Sequence, residues 1–488
     1  MLDSRERRSL VTTLGRLCSR DPRRTPLLVD ALLGDPQALG PDVLEIALEI
    51  GMPVVSAIET ALADGSRERE ARALSNALEP HLPWPTLALR RVAVTVVSRG
   101  LDSESVHDRP YVERLITLAS RLADTGRQQE ALAASEQALT IIDADPNLDL
   151  GAERTVGLLI NRIVQLNACD RFGEADTLLE RAMGVFSAIA EDEQQPWFRE
   201  HLARLISTGA LVAFRLGRVD EAIDNTRRAI DIFEALVDEG RLGFRVELSR
   251  TLGNLAWFLE ASNQPAEAYE LALQSVALSR RLVESEPDRG LPELANSLEQ
   301  LASRARTLES PKEALRASEE AVETYEELTR SGLSSFAPRL AASLGNHAIY
   351  LVEAEEGDAL KRLDHTRRAV EILDAYARVN EGAVREELGL AFVAHAGVLL
   401  EVDRAAEAAK CLRDALRCLK RCRSPGTALR RVVTASNLVH ALIGADRQFA
   451  ADRVRRRALS LLSTLSPDEL DAIPGVADAV RRQLGETT

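Results

Sequence analysis

Apolar residues recur at helical spacing along most of the chain, in paired stretches separated by short polar breaks. Residues 294–328 show the pattern most plainly. Leu294, Leu298, Leu301 and Ala302 fall on one face of a first helix, and Ala314, Ala321, Val322, Tyr325 and Leu328 on one face of a second. Ser310 and Pro311 stand where the second helix begins, as N-cap and first-turn proline. Glu313 follows in the first turn, where the helix dipole favours a carboxylate. The stretch predicts two amphipathic helices joined by a tight turn.

With Ala314 as anchor, equivalent positions are Ala131, Ala175, Ala222, Ala268, Arg362, Ala408 and Ala451, spaced 43 to 48 residues apart. Glutamate precedes the anchor at Glu130, Glu174, Glu221, Glu267, Glu313 and Glu407. Seven residues after it stands a second small side chain: Ala138, Ala182, Ala229, Ser275, Ala321, Ala369, Ala415 and Ala458. Only small side chains let neighbouring helices approach closely at the same place in every unit. Twelve before the anchor, Ala119, Ala210, Ala256, Ala302 and Ala396 recur, joined by Ala348 if two extra residues lie in the Glu355–Asp358 turn. Sixteen before it the column reads Leu115, Leu159, Ile206, Leu252, Leu298, Leu344, Phe392 and Ala435, with the same allowance at Leu344.

These columns resemble the tetratricopeptide repeat, with a step longer than the family's usual period of about 34 residues. The elongated variety of kinesin light chains and of actinomycete multi-repeat proteins is the more similar one. The resemblance covers about residues 106–465 and rests on columns rather than on a catalytic signature. It implies an all-α solenoid superhelix of about eight helical hairpins, whose concave groove binds a partner segment. The sixth unit departs from it with Lys361-Arg362 where Glu-Ala is expected, and the eighth with Ala450 and Arg455.

Residues 1–100 lie outside the clear repeat. Helical patterning falls at about 4–19, 41–49, 53–63, 67–79 and 86–98, with breaks at Asp21-Pro22, Gly34-Asp35-Pro36 and Gly40-Pro41. Two readings stand: degenerate hairpins leading into the array, as terminal repeats are atypical, or a small helical module. The run SRERRSLVTTLGRL…TPLLVDALLG resembles helical adaptor modules of bacterial signalling and defence proteins. The expected division is a helical region over 1–100, the array over 101–465 and a capping helix over 466–488. Ser466-Pro467-Asp468-Glu469 is a capping box, and solenoid ends need a cover. Ile473-Pro474-Gly475-Val476-Ala477 also resembles a DNA-contacting helix-hairpin-helix turn, with Ala477 in place of its second glycine; the cap is the better reading.

Composition narrows the field. Of 488 residues 45% are hydrophobic and 4% aromatic, which suits helices meeting at close range through Ala and Leu. The net charge of −15 argues against a nucleic-acid role, since phosphate binding needs a concentrated basic face. MLDSRERRSL lacks an apolar signal core, no stretch matches a membrane span, and five unevenly spaced cysteines are no disulfide framework. A cytoplasmic bacterial protein is expected.

The most informative polar positions lie fourteen before each anchor: Thr117, Asn161, Thr208, Asn254, Gln300, Asn346, Ala394 and Asn437, Asn346 with the same allowance. An amide offers both donor and acceptor, so it can grip an extended peptide whatever the peptide's sequence. The alternative is that these amides satisfy a neighbouring helix. In the resembled family, asparagine at the matching position faces the groove. The expected partner-binding residues are therefore Asn161, Thr208, Asn254, Gln300, Asn346 and Asn437.

Other constellations carry less. Cys411, Cys418 and Cys422 share a helical face without the paired spacing of a zinc site, and core packing explains them, with redox sensing the minor option. The seven histidines form no HExxH and no close triad; His347, His395 and His440 stand in or beside the amide column. There is no P-loop, kinase signature or GxSxG. The expectation is a non-catalytic scaffold or adaptor, without cofactor or metal, that binds a protein or peptide partner. The alternative is a ligand- or peptide-responsive sensor controlling an effector protein. Self-association through residues 1–100 is left open, with no motif to support it.

Overall fold

The computed structural model describes residues 4–82, 89–101, 108–125, 127–145, 148, 150–189, 196–331, 333–356, 358–379, 384–422, 427–465, 480–482 and 484. Among them the chain is helical without a β-strand. It divides into two compact units, Met1–Ser297 with Arg330–Leu333, and Leu298–Thr329 with Ser334–Thr488.

The first unit opens with α1 (Ser4–Arg20), α2 (Thr25–Gly34), α3 (Pro36–Ile50), α4 (Met52–Leu62), α5 (Glu68–Leu78) and α6 (Arg90–Leu101). Here α1 packs on α3, α2 on α4, α3 on α5 and α4 on α6. Two details depart from the sequence pattern. Residues 25–34 form a helix that periodicity does not separate, and α3 runs through Gly40-Pro41. Asp35 Oδ1 accepts from the Ala38 N–H at 3.3 Å and Pro36 starts the helix, so Pro41 falls in its second turn. Gly40 is needed there for another reason: a Cβ on it would stand 2.8 Å from the Ala77 Cβ of α5. The pair marks close packing, not a break.

Hairpins follow: α7 (Arg109–Asp124) with α8 (Gln128–Ala144), α9 (Ala152–Ala168) with α10 (Phe172–Ile189), α11 (Pro196–Arg215) with α12 (Val219–Asp238), and α13 (Arg245–Ala261) with α14 (Pro265–Ser285). Helix α6 serves both regions. It gives Val92 and Val96 to the core of the first helices, and Val94 and Val97 to the cluster containing Tyr111, Val112 and Leu115. After α15 (Pro287–Thr307) and α16 (Pro311–Arg330), the second unit pairs α17 (Ala337–Glu353) with α18 (Ala359–Val379), α19 (Arg385–Glu401) with α20 (Ala405–Leu419), and α21 (Thr427–Gly444) with α22 (Gln448–Leu462).

The small-residue columns sit in the packing. Seven of the eight anchors, all alanines, are 0% exposed, and every residue of the second small column is at most 2% exposed. Arg362, the exception, reaches Glu401 of α19 at 2.5 Å. In the eighth unit Arg455 pairs with Asp452 at 2.9 Å.

The turn within each hairpin is equally regular. Five residues before the anchor the backbone is left-handed, at Asp170, Gly217, Asn263, Glu309, Asp403 and Asp446, with φ between 55° and 82°. The following N–H bonds back to a carbonyl five residues earlier, as from Arg171 to Leu166 (3.0 Å), Gln264 to Leu259 (2.8 Å) and Arg404 to Leu399 (2.8 Å). This closes the first helix as a Schellman turn. In the sixth unit the left-handed residue is Glu355, seven before Arg362, which places the two extra residues after the turn. The glutamate before the anchor now has a structural reason. Arg127, Arg171 and Arg404 each grip Glu130, Glu174 and Glu407 through two hydrogen bonds of 2.6–2.7 Å.

The capping box over 466–469 and the turn over 473–477 lie outside the described residues. Val480 and Leu484 are buried with the α21–α22 cluster.

Candidate functional site

In the first unit, the first helices of successive hairpins lie side by side, α7 by α9, α9 by α11 and α11 by α13. Helical periodicity leaves one stripe of each facing solvent. Along α9 it carries Arg154, Asn161 and Val164; along α11, Arg204, Thr208, Leu211 and Arg215; along α13, Arg250, Asn254 and Trp257. In the second unit α17 presents Ala342, Asn346, Ile349 and Glu353 in the same way. The amide column is therefore flanked, three residues on, by large apolar side chains, of which Val164 is 50% and Ile349 48% exposed.

The six amide-column residues fall on these stripes. Asn161 and Asn346 are exposed, and Thr208, Asn254, Gln300 and Asn437 are part-exposed. Among the described residues only Asn161 is engaged across helices, its Nδ2 donating to Ser120 Oγ of α7 at 3.3 Å. Among the described residues Thr208, Asn254, Asn346 and Asn437 have no side-chain hydrogen-bond partner, and the buried Gln300 Oε1 has none either. The fold leaves most of these groups unused.

Charge on the same faces is mostly neutralised from helix to helix. Glu113 pairs with Arg154, Arg204 with Glu247 at 2.7 Å, Arg250 with Glu293, and in the second unit Glu386 with Arg430. Arg215 differs. Its guanidinium carbon stands 5.5 Å from the Phe172 ring centroid and 5.1 Å from that of Trp257, and among the described residues it has no carboxylate partner. Trp257 is held in turn by Phe214, with ring centroids 4.6 Å apart.

The histidines beside the column separate into two kinds. His347 and His395 pack inward, with Nδ1 at 2.8 Å from Ser318 Oγ and 2.9 Å from Thr366 Oγ1. Ser318 donates its one proton to the Leu315 carbonyl (2.9 Å) and Thr366 to that of Arg362 (2.9 Å). With the hydroxyl protons used in this way, each histidine donates from Nδ1. The ring of His365 lies edge-on to His347, with centroids 4.9 Å apart. Burial, and after it the neighbouring His365, pushes His347 down to about 4. Arg162 takes the corresponding place on α9, donating to the Leu132 carbonyl at 3.2 Å and meeting Ser135 Oγ at 3.4 Å. This junction of a hydroxyl four after the anchor with a polar residue thirteen before the next occurs three times, His347 with the two-residue allowance of the sixth unit. It lies one residue from the amide column, where a pattern search stops short. His440 stays exposed.

Burial pushes the thiols of Cys411, Cys418 and Cys422 up, away from the reactive thiolate. Among the described residues no three His, Cys, Asp or Glu side chains are grouped to hold a metal ion, and no helix is long and apolar enough to cross a membrane.

Residues 248–288, spanning most of α13 and all of α14, match the tetratricopeptide repeat family. That stretch carries a tetratricopeptide repeat of the long kind. Its second small column recurs at each hairpin from α7 to α22, and its anchor column at all but Arg362. No curated protein matches the sequence. Solved structures similar to it include a signal-transduction ATPase with a tetratricopeptide repeat sensor from Pyrococcus horikoshii, at 11% identity and TM-score 0.48, covering 98% of this chain and 75% of that one. BtubC from P. vanneervenii is similar at 14% identity and TM-score 0.42, over 51% of this chain and 94% of that one. The apo quorum sensor NprR from B. thuringiensis is similar at 10% identity and TM-score 0.38, over 69% and 97%. Each score falls below one half, too low to carry an argument about this chain.

Proposed function

We propose that the chain is a non-catalytic interaction scaffold that holds an extended segment of a partner protein against the solvent-facing stripes of its first helices. The observation that supports this is the idle amide column. Asn254, Asn346 and Asn437 present donor and acceptor to solvent with no protein partner among the described residues, beside part-exposed Trp257 and exposed Ile349. Amides can bond any peptide backbone, while the apolar neighbours supply area and exclude water. The helix-to-helix ion pairs keep the rest of the face electrically quiet, so that rim charges set selectivity and rate more than affinity. The array over 101–465 would carry this role, with residues 1–100 as a helical region joined to it through α6 and 466–488 as the cap.

The test is affinity capture from the native host with wild type and the Asn254→Ala/Asn346→Ala double variant, read by mass spectrometry. A specific protein retained by wild type and lost by the equally folded variant is the expected result. Equal retention by both would remove the amide column from the site.

A further inference from the structure

We propose that Arg215, held over Phe172 and Trp257, selects what the first unit's stripe accepts, and that the occupant is an extended peptide bearing a carboxylate side chain next to a large apolar one. This rests on the scaffold reading and specifies its partner's chemistry. The argument is one of charge left over. Arg154, Arg204 and Arg250 on the adjoining stripes are each matched by a glutamate of a neighbouring helix. Arg215 is exposed and, among the described residues, its guanidinium meets aromatic rings and no carboxylate.

Ring contacts hold a guanidinium in place without using up its N–H donors, and those donors match a carboxylate in fixed fork geometry. A partner carboxylate would thus find its counter-charge already oriented, with little side-chain freedom left to lose. Trp257 and Leu211 lie part-exposed on the same faces, and Trp and Arg are the residue types that dominate interface energetics. Asn254, one helical turn before Trp257, is placed for the peptide backbone. The stripes of α9, α11 and α13 span three helices at about 9 Å spacing, which an extended peptide crosses in about six residues. The acid and the apolar side chain therefore fall within a residue or two of each other.

The probe is a displayed library of random peptides of about ten residues, selected on the full chain as wild type, Arg215→Gln, Arg215→Glu and Asn254→Ala, each checked for an unchanged thermal transition. Wild type should enrich Asp or Glu beside Leu, Phe or Trp. Arg215→Gln should bind the selected peptides about tenfold more weakly, as for a lost charged hydrogen bond, and lose the acidic preference; Arg215→Glu should enrich Lys or Arg instead. If wild type enriches peptides without acids, or Arg215→Gln binds unchanged while Asn254→Ala weakens binding, Arg215 is not the selector though the scaffold stands. If no peptide is enriched on any form, the scaffold reading falls and this inference with it.

Discussion

In the first six helices large aliphatics are closed to solvent at Leu28, Leu32, Val43, Ile46, Ile58, Leu62 and Leu74, with Ala47, Ala57, Ala61 and Ala71 among them, all 0% exposed. In the hairpins alanines at two fixed offsets are closed in the same way, among them Ala131, Ala138, Ala175, Ala182, Ala222 and Ala229, also at 0%, beside large side chains such as Val156, Leu159 and Ile163. The two regions differ in whether the small closed positions recur at a fixed step. Helices α1–α6 alternate, α1 packing on α3, α2 on α4, α3 on α5 and α4 on α6. The hairpins pack each helix on its immediate successor, and the repeat survives because backbones meet across a methyl group. A large-to-small change tests the core of the first region, and a small-to-large change tests the recurring small column of the second.

Leu74→Ala tests the first half. The side chain is fully buried in α5, so the loss combines transfer and cavity terms, and about 3 kcal/mol of stability should go. The mirror experiment is Ala229→Leu in α12, where added methylenes force neighbours off their rotamers and cost about 2 kcal/mol. Urea unfolding of both, with Leu74→Met and Ala229→Ser as volume-tolerant controls, reads the contrast. Equal tolerance of leucine and alanine at Ala229 would show that the small column is compositional, not a packing demand.

Acid should strain the hairpins through His347. Its folded pKa of about 4 lies below the unfolded value near 6.5, so the unfolded chain binds the proton first as pH falls. The stabilisation is complete above pH 6.5 and declines toward pH 4, by about 3 kcal/mol for this group. His365 and His395, both also lowered chiefly by burial, add in the same direction. His347→Asn keeps an N–H for Ser318 and removes the titration. If its unfolding midpoint follows pH as steeply as wild type does, the acid sensitivity belongs elsewhere.

The hairpins were legible because each unit repeats the same packing problem, so alanine at two fixed offsets and the apolar column stand out from chance. The amide column was legible for the same reason. Residues 25–34 were not, since Leu27, Leu28, Val29, Leu32 and Leu33 form an apolar cluster between proline breaks with weak amphipathicity. Gly40-Pro41 misled because glycine serving close approach to Ala77 reads identically to glycine at a turn. Arg215 could not be singled out, for its lack of a carboxylate depends on which glutamates neighbouring helices bring near, tens of residues away. The histidine–hydroxyl junction was hidden by lying one residue from a column already assigned.

The smallest expected effect concerns the one break in the second small column. Ser275 stands where the other seven units have alanine, and its hydroxyl has company. Ser249, Ser275, Ser279 and Ser297, each at most 3% exposed, form a closed group with Oγ–Oγ distances of 3.0 Å (249–275), 2.8 Å (249–279), 2.9 Å (275–297) and 3.1 Å (279–297). Ser275 Oγ also donates to the Ser249 carbonyl at 3.0 Å. The group joins α13, α14 and the middle of α15, so the hydroxyl replaces a packing methyl with a hydrogen-bonded link. Ser275→Ala would remove about 1 kcal/mol of hydrogen bonding. Alanine's better helix propensity returns about 0.5 kcal/mol, and Ser279 keeps Ser249 and Ser297 satisfied. A net loss of about 0.5 kcal/mol in the urea midpoint is expected. A gain instead would mean that the column asks only for small size, here as elsewhere, and that the serine group is tolerated rather than stabilising.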